Sequence, residues 1–498
     1  MPGHYLGGGR FTDGVRMGAV ELDCCPLSRW QGQGVGRKCG GSFVSDKAVV
    51  RPDFVPKESY VAEEFEKLER ERLWPKVWLN ACREEEIPDA GDFITFDIAD
   101  QTILVVRQPD NSIRAFHNVC QHRGRRLKEG CGNTGRSIFC RFHGWRWKID
   151  GSLEKVVWSE DWGGCPNFED SDLALKSVKV ESWAGAVWIS MNPEAPPLRE
   201  YLSPLPELLD PFEIENMRYV WYKTVTINCS WKVACDAFNE AYHSQATHAQ
   251  MLKYGARKSG SRAVGPHGMF YFPDRGERNI AATAEPEPEA AIDMGETSPF
   301  ARKFTGLDPR ELIYRNIEES YRTLNALISE HAVRAAKRLL DEPEGLSQAE
   351  LGLRLDALYR EEMTSDGIQL PENLTPEVIA AAGTNWHIFP NTIVLPALNG
   401  VQWYRMRPNG VDANSCIFDV WCLQRFPPGR APEFKHEVFA GPDEFRGQNL
   451  FLEQDLSNME AVQQGMKSLG FRAARTNPVQ EAAISNFHKA IRQYVLGE

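Results

Sequence analysis

The sequence predicts an α+β chain in two parts. An all-β domain covers about 76–195, and a mixed domain of antiparallel strands and helices runs from about 200 to the end. Three observations predict it. Short β-rich runs broken by turn residues fill the first part. A stretch rich in proline (Pro196, Pro197, Pro204, Pro206) then interrupts the pattern. Strands return near the end, after a charged segment with helical periodicity.

Taken in order, residues 1–50 contain eleven Gly, with runs at Gly7-Gly8-Gly9 and Gly32-Gln33-Gly34-Val35-Gly36, and read as a flexible arm. Neither run completes a dinucleotide-binding G-x-G-x-x-G. The next unit spans 51–199 and opens with an amphipathic helix over 59–74, carried by Tyr60, Phe65, Leu68 and Leu73. Strands follow at 92–98, 102–107, 113–118, 137–139, 145–149, 176–181 and 186–191. Asp110-Asn111 and Asp150-Gly151 supply turns between them. The last unit spans 200–498. It holds a strand at 219–228, a helix over 233–251 and a helix-rich insertion at about 256–380 that loses strand character. Strands at 386–395, 401–407 and 416–423 come next. A helix carries Leu452, Leu456, Met459, Val462, Met466 and Leu469 at spacings of three and four.

Composition narrows the function. The net charge is −12, so no chain-wide basic excess exists to meet nucleic-acid phosphates. No apolar run approaches 18 residues, and the first 30 lack the apolar segment of a secretory signal. Twelve Cys in 498 residues are too dilute for a disulfide scaffold and leave thiols for metal chemistry. These features predict a cytoplasmic location without membrane or nucleic-acid partners.

Two constellations carry chemistry. The first is Cys120-Gln121-His122 and Cys140-Arg141-Phe142-His143, with 17 residues between His122 and Cys140. Each loop pairs one thiolate with one imidazole. Two Cys on one iron and two His on the other is the Rieske 2Fe–2S set, whose neutral His ligands raise the potential. Structural zinc also uses Cys2His2, but it usually keeps Cys with Cys and His with His. Around this motif, 120–148 holds eight Lys and Arg against Glu129 alone. That excess reads either as a docking face for an acidic electron carrier or as a solvated surface with some Arg buried against carboxylates.

The second constellation is Glu240, His243 and His248. Glu240 and His243, three apart, lie near one helical face. His243 and His248, five apart, diverge by about 140° on a regular helix. Both can bind one metal only if the helix loosens or ends there. A ferrous oxygenase centre wants two His and one carboxylate. The carboxylate is either the local Glu240 or the distant Asp455, which interrupts the apolar stripe of the last predicted helix. The alternative for Asp455 is a bond to a buried Arg.

Together these residues resemble the large (alpha) subunit of Rieske non-haem iron oxygenases, the aromatic ring-hydroxylating dioxygenase family. The resemblance covers roughly 58–255 and 384–470. It is carried by C-x-H-x17-C-x2-H and Glu240-x2-His243-x4-His248, with lesser marks at Trp386-His387-Ile388-Phe389-Pro390-Asn391 and Glu453-Gln454-Asp455-Leu456-Ser457-Asn458. It implies a Rieske β domain and a helix-grip catalytic domain. It also implies that Cys120 and Cys140 hold one cluster iron and His122 and His143 the other. His243, His248 and Asp455 would hold mononuclear Fe(II). Glu240 would be the catalytic acid bridging this site to a neighbour's cluster, with electrons passing through His143 and Glu240 to His243. Two departures stand out, since many relatives carry Asp at Glu240 and Asn at Ala237.

The resemblance further implies a head-to-tail homotrimer, with or without a small β subunit. A separate NADH-dependent reductase, with or without a ferredoxin, would supply electrons. The implied reaction uses O2 to convert an aromatic or other bulky apolar substrate to a cis-dihydrodiol. The alternative is a monooxygenase or demethylase on the same scaffold. A Rieske electron carrier without chemistry of its own is a more distant alternative that leaves the second His pair unexplained. The helices of 256–380 are expected to roof the catalytic site.

Overall fold

Pairing that is almost wholly antiparallel in the computed structural model builds two large sheets from the expected strands and several unexpected ones, and the strand expected over 386–395 is two, Asn385–Ile388 and Thr392–Pro396. The structure describes residues 54–166, 168–254, 258–272, 306–324 and 327–497. The arm expected over 1–50 lies outside them, as does 273–305 of the helix-rich segment. The first sheet has seven strands in the order Leu79–Arg83, Ala186–Ser190, Ser177–Trp183, Ile113–His117, Gln101–Arg107, Asp92–Ile98 and Cys131–Asn133. A second, three-stranded sheet (Ser137–Phe139, Arg146–Lys148, Leu153–Lys155) carries the second Cys-His loop between its first two strands. Leu79–Arg83 escapes the alternation rule because it is buried on both faces.

The C-terminal part contains an eight-stranded sheet. Its order is Gly260–Val264, His267–Tyr271, Asn385–Ile388, Thr392–Pro396, Gly400–Asn409, Asp412–Gln424, Arg218–Ile227 and His436–Phe439. Only the last pairing is parallel. The first two strands are a hairpin inside the stretch expected to lose strand character. Alternation there is too weak to show in sequence, and it is pairing with Asn385–Ile388 that defines the second strand's place. Helices Trp231–Phe238, Leu450–Met466 and Ala482–Leu496 pack with this sheet in one core containing Phe238, Tyr404, Phe418, Leu452, Leu456, Met459 and Phe487. The helix-rich segment forms Pro309–Leu324, Glu330–Arg338, Gln348–Ser365 and Pro376–Ala382. Ala482–Leu496 was not expected, although Ala483, Ile484, Phe487, Ala490, Ile491 and Val495 bury one helical face.

The two parts are stitched by buried charge. The expected helix over 59–74 is two, Glu58–Val61 and Glu63–Arg72, divided where Ala62 turns extended. From the second, Glu69 meets Lys232 of the Trp231–Phe238 helix at 2.5 Å, with both side chains at most 3% exposed. Trp231 Nε1 donates to the other Glu69 oxygen. Arg405 donates to the Asn80 and Ala81 carbonyls and pairs with buried Asp419, joining sheet to sheet. The proline-rich stretch packs as well, with Leu198, Leu202, Leu205 and Leu209 all buried. Removing one charge of a buried pair strands the other in low dielectric. Lys232→Met is therefore expected to cost about 3–5 kcal/mol of stability, with Lys232→Met/Glu69→Leu recovering most of it. Thermal unfolding of the two variants checks this. Among the described residues, no helix is long and apolar enough to cross a membrane.

Candidate active site and metal centres

The two Cys-His loops are built alike. In the first, the Cys120 amide donates to the Arg125 carbonyl and the Gly124 amide to the Cys120 carbonyl. In the second, Cys140 donates to Trp145 and Gly144 to Cys140. Each turn closes on a glycine four residues after its Cys, at φ +74° and +77°, where L side chains are strained. The shared turn brings the His122 and His143 rings to 4.7 Å. His122 stacks on Trp145 at 4.8 Å and 8°, and Trp162 meets its edge.

Both thiols are buried. Burial raises the Cys120 pKa, and the Cys140 sulfur beside it raises it further. The Nδ1 atoms of His122 and His143 are buried without a hydrogen-bond partner. Two buried imidazole nitrogens without partners would be costly in a finished core. Together with the two thiols of the same loops, they make up the mixed donor set that suits a 2Fe–2S cluster with two Cys and two His ligands. The surrounding charge is not buried against carboxylates. Arg123, Arg125, Arg126, Arg136, Arg141, Arg146 and Lys148 are exposed and Lys128 is half-buried. Arg126 pairs with Asp97 and Arg146 with Glu154 at the surface.

The second site forms where a helix stops. The continuous helix expected over 233–251 ends at Phe238 and resumes as two single turns, Ser244–Thr247 and Ala249–Leu252. Glu240 supplies the reason: its Oε2 accepts the backbone N–H of His243 at 3.0 Å, a local bond that competes with the helical one. Its Oε1 lies 2.6 Å from His243 Nδ1. Burial opposes a charge on His243, yet the hydrogen bond and charge of Glu240 outweigh it and hold the pKa above the ordinary value.

Asp455 enters from the Leu450–Met466 helix, which Asn449 caps by accepting the Leu452 amide. It lies among the buried residues Leu452, Leu456, Met459 and Met466, as the stripe predicts. It faces the two imidazoles, not a guanidinium: Oδ1 is 3.1 Å from His248 Nε2 and 3.5 Å from His243 Nε2. The two Nε2 atoms are 3.3 Å apart. Glu240 stays on the far edge of His243, so the structure brings His243, His248 and Asp455 together and leaves Glu240 outside the trio.

The chemistry of this donor set fits a cation. Each Nδ1 faces an oxygen, of Glu240 for His243 and of Gln454 for His248, and so carries its ring's proton. With both rings neutral, the two Nε2 lone pairs and a carboxylate oxygen converge, an arrangement that repels itself until a proton or a metal sits there. Metal–ligand bonds of about 2.1 Å at right angles place donors about 3.0 Å apart, close to the observed spacing. Two His and one carboxylate on one face is the non-haem Fe(II) pattern.

Two further buried histidines, His267 and His387, are structural. His267 accepts from the Phe389 amide and reaches the Tyr201 carbonyl, and His387 reaches the Pro390 carbonyl. Burial pushes them down to about 4 and about 3, so both are neutral. Sequence reasoning assigned no role to Gln454, Phe451, Gln250 or Trp145. Adjacency of Gln454 to Asp455 was the signal for the first.

Residues 214–497 match the family described as the ring hydroxylating alpha subunit (catalytic domain). The chain belongs to this family. A second match, to the Rieske [2Fe-2S] domain, covers residues 77–161. This alpha subunit thus carries a Rieske [2Fe-2S] domain and a His-His-Asp group of the kind that holds mononuclear iron. Among curated relatives, it is 28% identical to the glycine betaine monooxygenase oxygenase subunit of Pseudomonas aeruginosa, over 40% of this chain and 46% of that one. It is 31% identical to the carnitine monooxygenase oxygenase subunit of Escherichia coli K12, over 39% and 52%. It is also 31% identical to biphenyl 2,3-dioxygenase subunit alpha of Rhodococcus jostii, over 38% and 42%. The chain spans about half the length of the curated relatives it matches.

Solved structures agree on the fold. A quaternary ammonium Rieske monooxygenase in complex with L-carnitine superposes with a TM-score of 0.57 at 20% identity, covering 89% of this chain and 97% of the other. Naphthalene 1,2-dioxygenase with indole bound gives 0.58 at 20% identity, covering 90% and 94%. By sequence, the chain is thus similar to proteins named as monooxygenases and to one named as a dioxygenase.

Proposed function

We propose that this chain is the terminal oxygenase of an O2-dependent Rieske system and inserts one oxygen atom into a bulky apolar or aromatic substrate. The observation that carries the oxygenase reading is the convergence of His243, His248 and Asp455 at 3.1–3.5 Å in a chain that also carries a Rieske domain. Curated relatives named as glycine betaine and carnitine monooxygenase subunits support single-atom insertion. The dioxygenase-named relative keeps cis-dihydroxylation as the second reading.

When bound, mononuclear iron supplies O2 activation and the 2Fe–2S cluster supplies electrons one at a time. His243, His248 and Asp455 would hold the first, and Cys120, Cys140, His122 and His143 the second. Glu240 holds the Nδ1 proton of His243 and orients the ring. Phe451 covers one face of His248 at 4.0 Å and keeps water from it. A separate NADH-dependent reductase, with or without a ferredoxin, is the proposed electron source, and a head-to-tail homotrimer the proposed assembly. Inter-subunit electron transfer described for a quaternary ammonium Rieske monooxygenase supports electron delivery between chains and an assembly of more than one subunit. The helix Pro309–Leu324 supports the proposed roof: Glu319 bonds Tyr254, six residues after His248, and the Leu324 carbonyl accepts from Asn449 at the start of Asp455's helix.

Turnover under 18O2 with a surrogate reductase, over aromatic, polycyclic and N-methyl substrates, tests the reading by mass spectrometry. One labelled atom is expected in a hydroxylated product, or in the aldehyde fragment released from an N-methyl substrate. Two labelled atoms would establish the dioxygenase reading, and no O2-derived product from any class would overturn the oxygenase assignment.

Glu240→Gln is expected to keep the Rieske absorption and the mononuclear metal. Both Glu240 oxygens accept N–H groups of His243, and an amide can satisfy only one of them. Single-turnover oxidation of the pre-reduced cluster should slow by at least about tenfold.

A further inference from the structure

Three side chains on two successive turns hold His248, and all three come from the helix that carries Asp455. Asp455 Oδ1 approaches Nε2 at 3.1 Å, and Gln454 Oε1 approaches Nδ1 at 2.9 Å. Phe451, one turn earlier, packs on the ring face with centroids 4.0 Å apart. Neighbouring residues on a helix point about 100° apart. Gln454 and Asp455 can therefore straddle one imidazole and grip its two nitrogens at once.

Gln454 is itself locked. Gln250 Nε2 donates to Gln454 Oε1 at 2.8 Å, and Gln454 Nε2 donates back to Gln250 Oε1 at 3.0 Å. Turning the Gln454 amide alone would set oxygen against oxygen and NH2 against NH2, breaking both bonds. The backbone is tied too, since Asn458 Nδ2 donates to the Gln454 carbonyl and reaches Thr247 Oγ1 beside His248.

We propose that Gln454, locked by Gln250, is a positioning residue that fixes His248 as the Nδ1–H tautomer and aims its Nε2 lone pair at the metal position. A wrongly turned amide would present N–H to Nδ1, move the ring proton to Nε2 and place it where the metal must bind. His243 has the corresponding partner in Glu240, but a charged one. The two imidazoles therefore differ: one is oriented by a carboxylate and the other by a neutral amide. The neutral partner keeps the buried pocket around His248 and Asp455 from gaining another negative charge.

This inference rests on the proposed metal site and is tested by binding, not turnover. The full-length protein is stripped of mononuclear metal while its Rieske absorption is retained, then titrated with Co(II) by equilibrium dialysis. Gln454→Leu should bind about 10–100-fold more weakly. Gln454→Glu, whose carboxylate has no N–H to misdirect, should bind as tightly as the parent or more so. Gln250→Leu should weaken binding less than Gln454→Leu, and Gln250→Leu/Gln454→Glu should restore it. A merely structural role for Gln454 does not produce that rescue.

Parent-like binding by Gln454→Leu, or failure of Gln454→Glu to rescue, overturns the proposal provided Asp455→Ala abolishes binding. Unchanged binding in Asp455→Ala instead overturns the metal-site reading beneath it. If Gln454→Leu loses the Rieske absorption, Gln250→Leu and its rescue decide.

Discussion

Asp455→Ala is expected to lose the mononuclear metal and all oxygenation while retaining an intact, reducible Rieske cluster. The carboxylate is 6% exposed and lies within 3.5 Å of both Nε2 atoms, so no surface residue can stand in for it. Its removal leaves two neutral imidazoles, a set too poor in charge and number to retain a divalent ion against water. The expected loss of turnover is complete, and metal analysis beside the cluster absorption separates the two sites. Glu240→Gln provides the contrast, because Glu240 bonds the backbone N–H and the far ring edge of His243 and stays outside the metal-ligand trio. An emptied site in Glu240→Gln with a filled one in Asp455→Ala would reverse the two assignments.

Cys120→Ser and His143→Ala form the second large effect. Each is expected to abolish the Rieske absorption and turnover while the mononuclear site still binds Co(II). Cys120 and Cys140 are both buried, and the orphaned Nδ1 atoms of His122 and His143 have no role without a metal. Serine offers a harder, more weakly binding oxygen, and alanine offers nothing. The chain should stay folded, because the surrounding turns are closed by backbone bonds from Cys120, Gly124, Cys140 and Gly144, which these substitutions leave in place. A normal 2Fe–2S spectrum in His143→Ala would refute the assignment.

Much of the fold was legible for physical reasons that differ by element. Asp92–Ile98 and Ser137–Phe139 match their expected limits because turn residues bound them closely. The helix over 233–251 failed where Glu240 takes the backbone N–H of His243, since periodicity registers which side chains are apolar and not which carboxylate folds back on the chain. Ala482–Leu496 was overlooked although its pattern is clear. The hairpin Gly260–Val264 and His267–Tyr271 was hidden, because its place depends on Asn385–Ile388, far away in sequence.

By itself, the sequence determined the two Cys-His loops, the spacing of Glu240, His243 and His248, and the anomaly of an acid on the apolar stripe at 455. These are local: a ligand pair within one turn, or a residue breaking a period, needs only its neighbours to be seen. Tertiary structure alone decided that Asp455 meets the two histidines instead of an arginine, that Glu240 stands behind His243, and that Gln454 grips the other edge of His248. It also decided that Glu69 and Lys232 neutralise each other in the core. Burial can be inferred from a pattern, but a buried polar group's partner is set by which elements pack together.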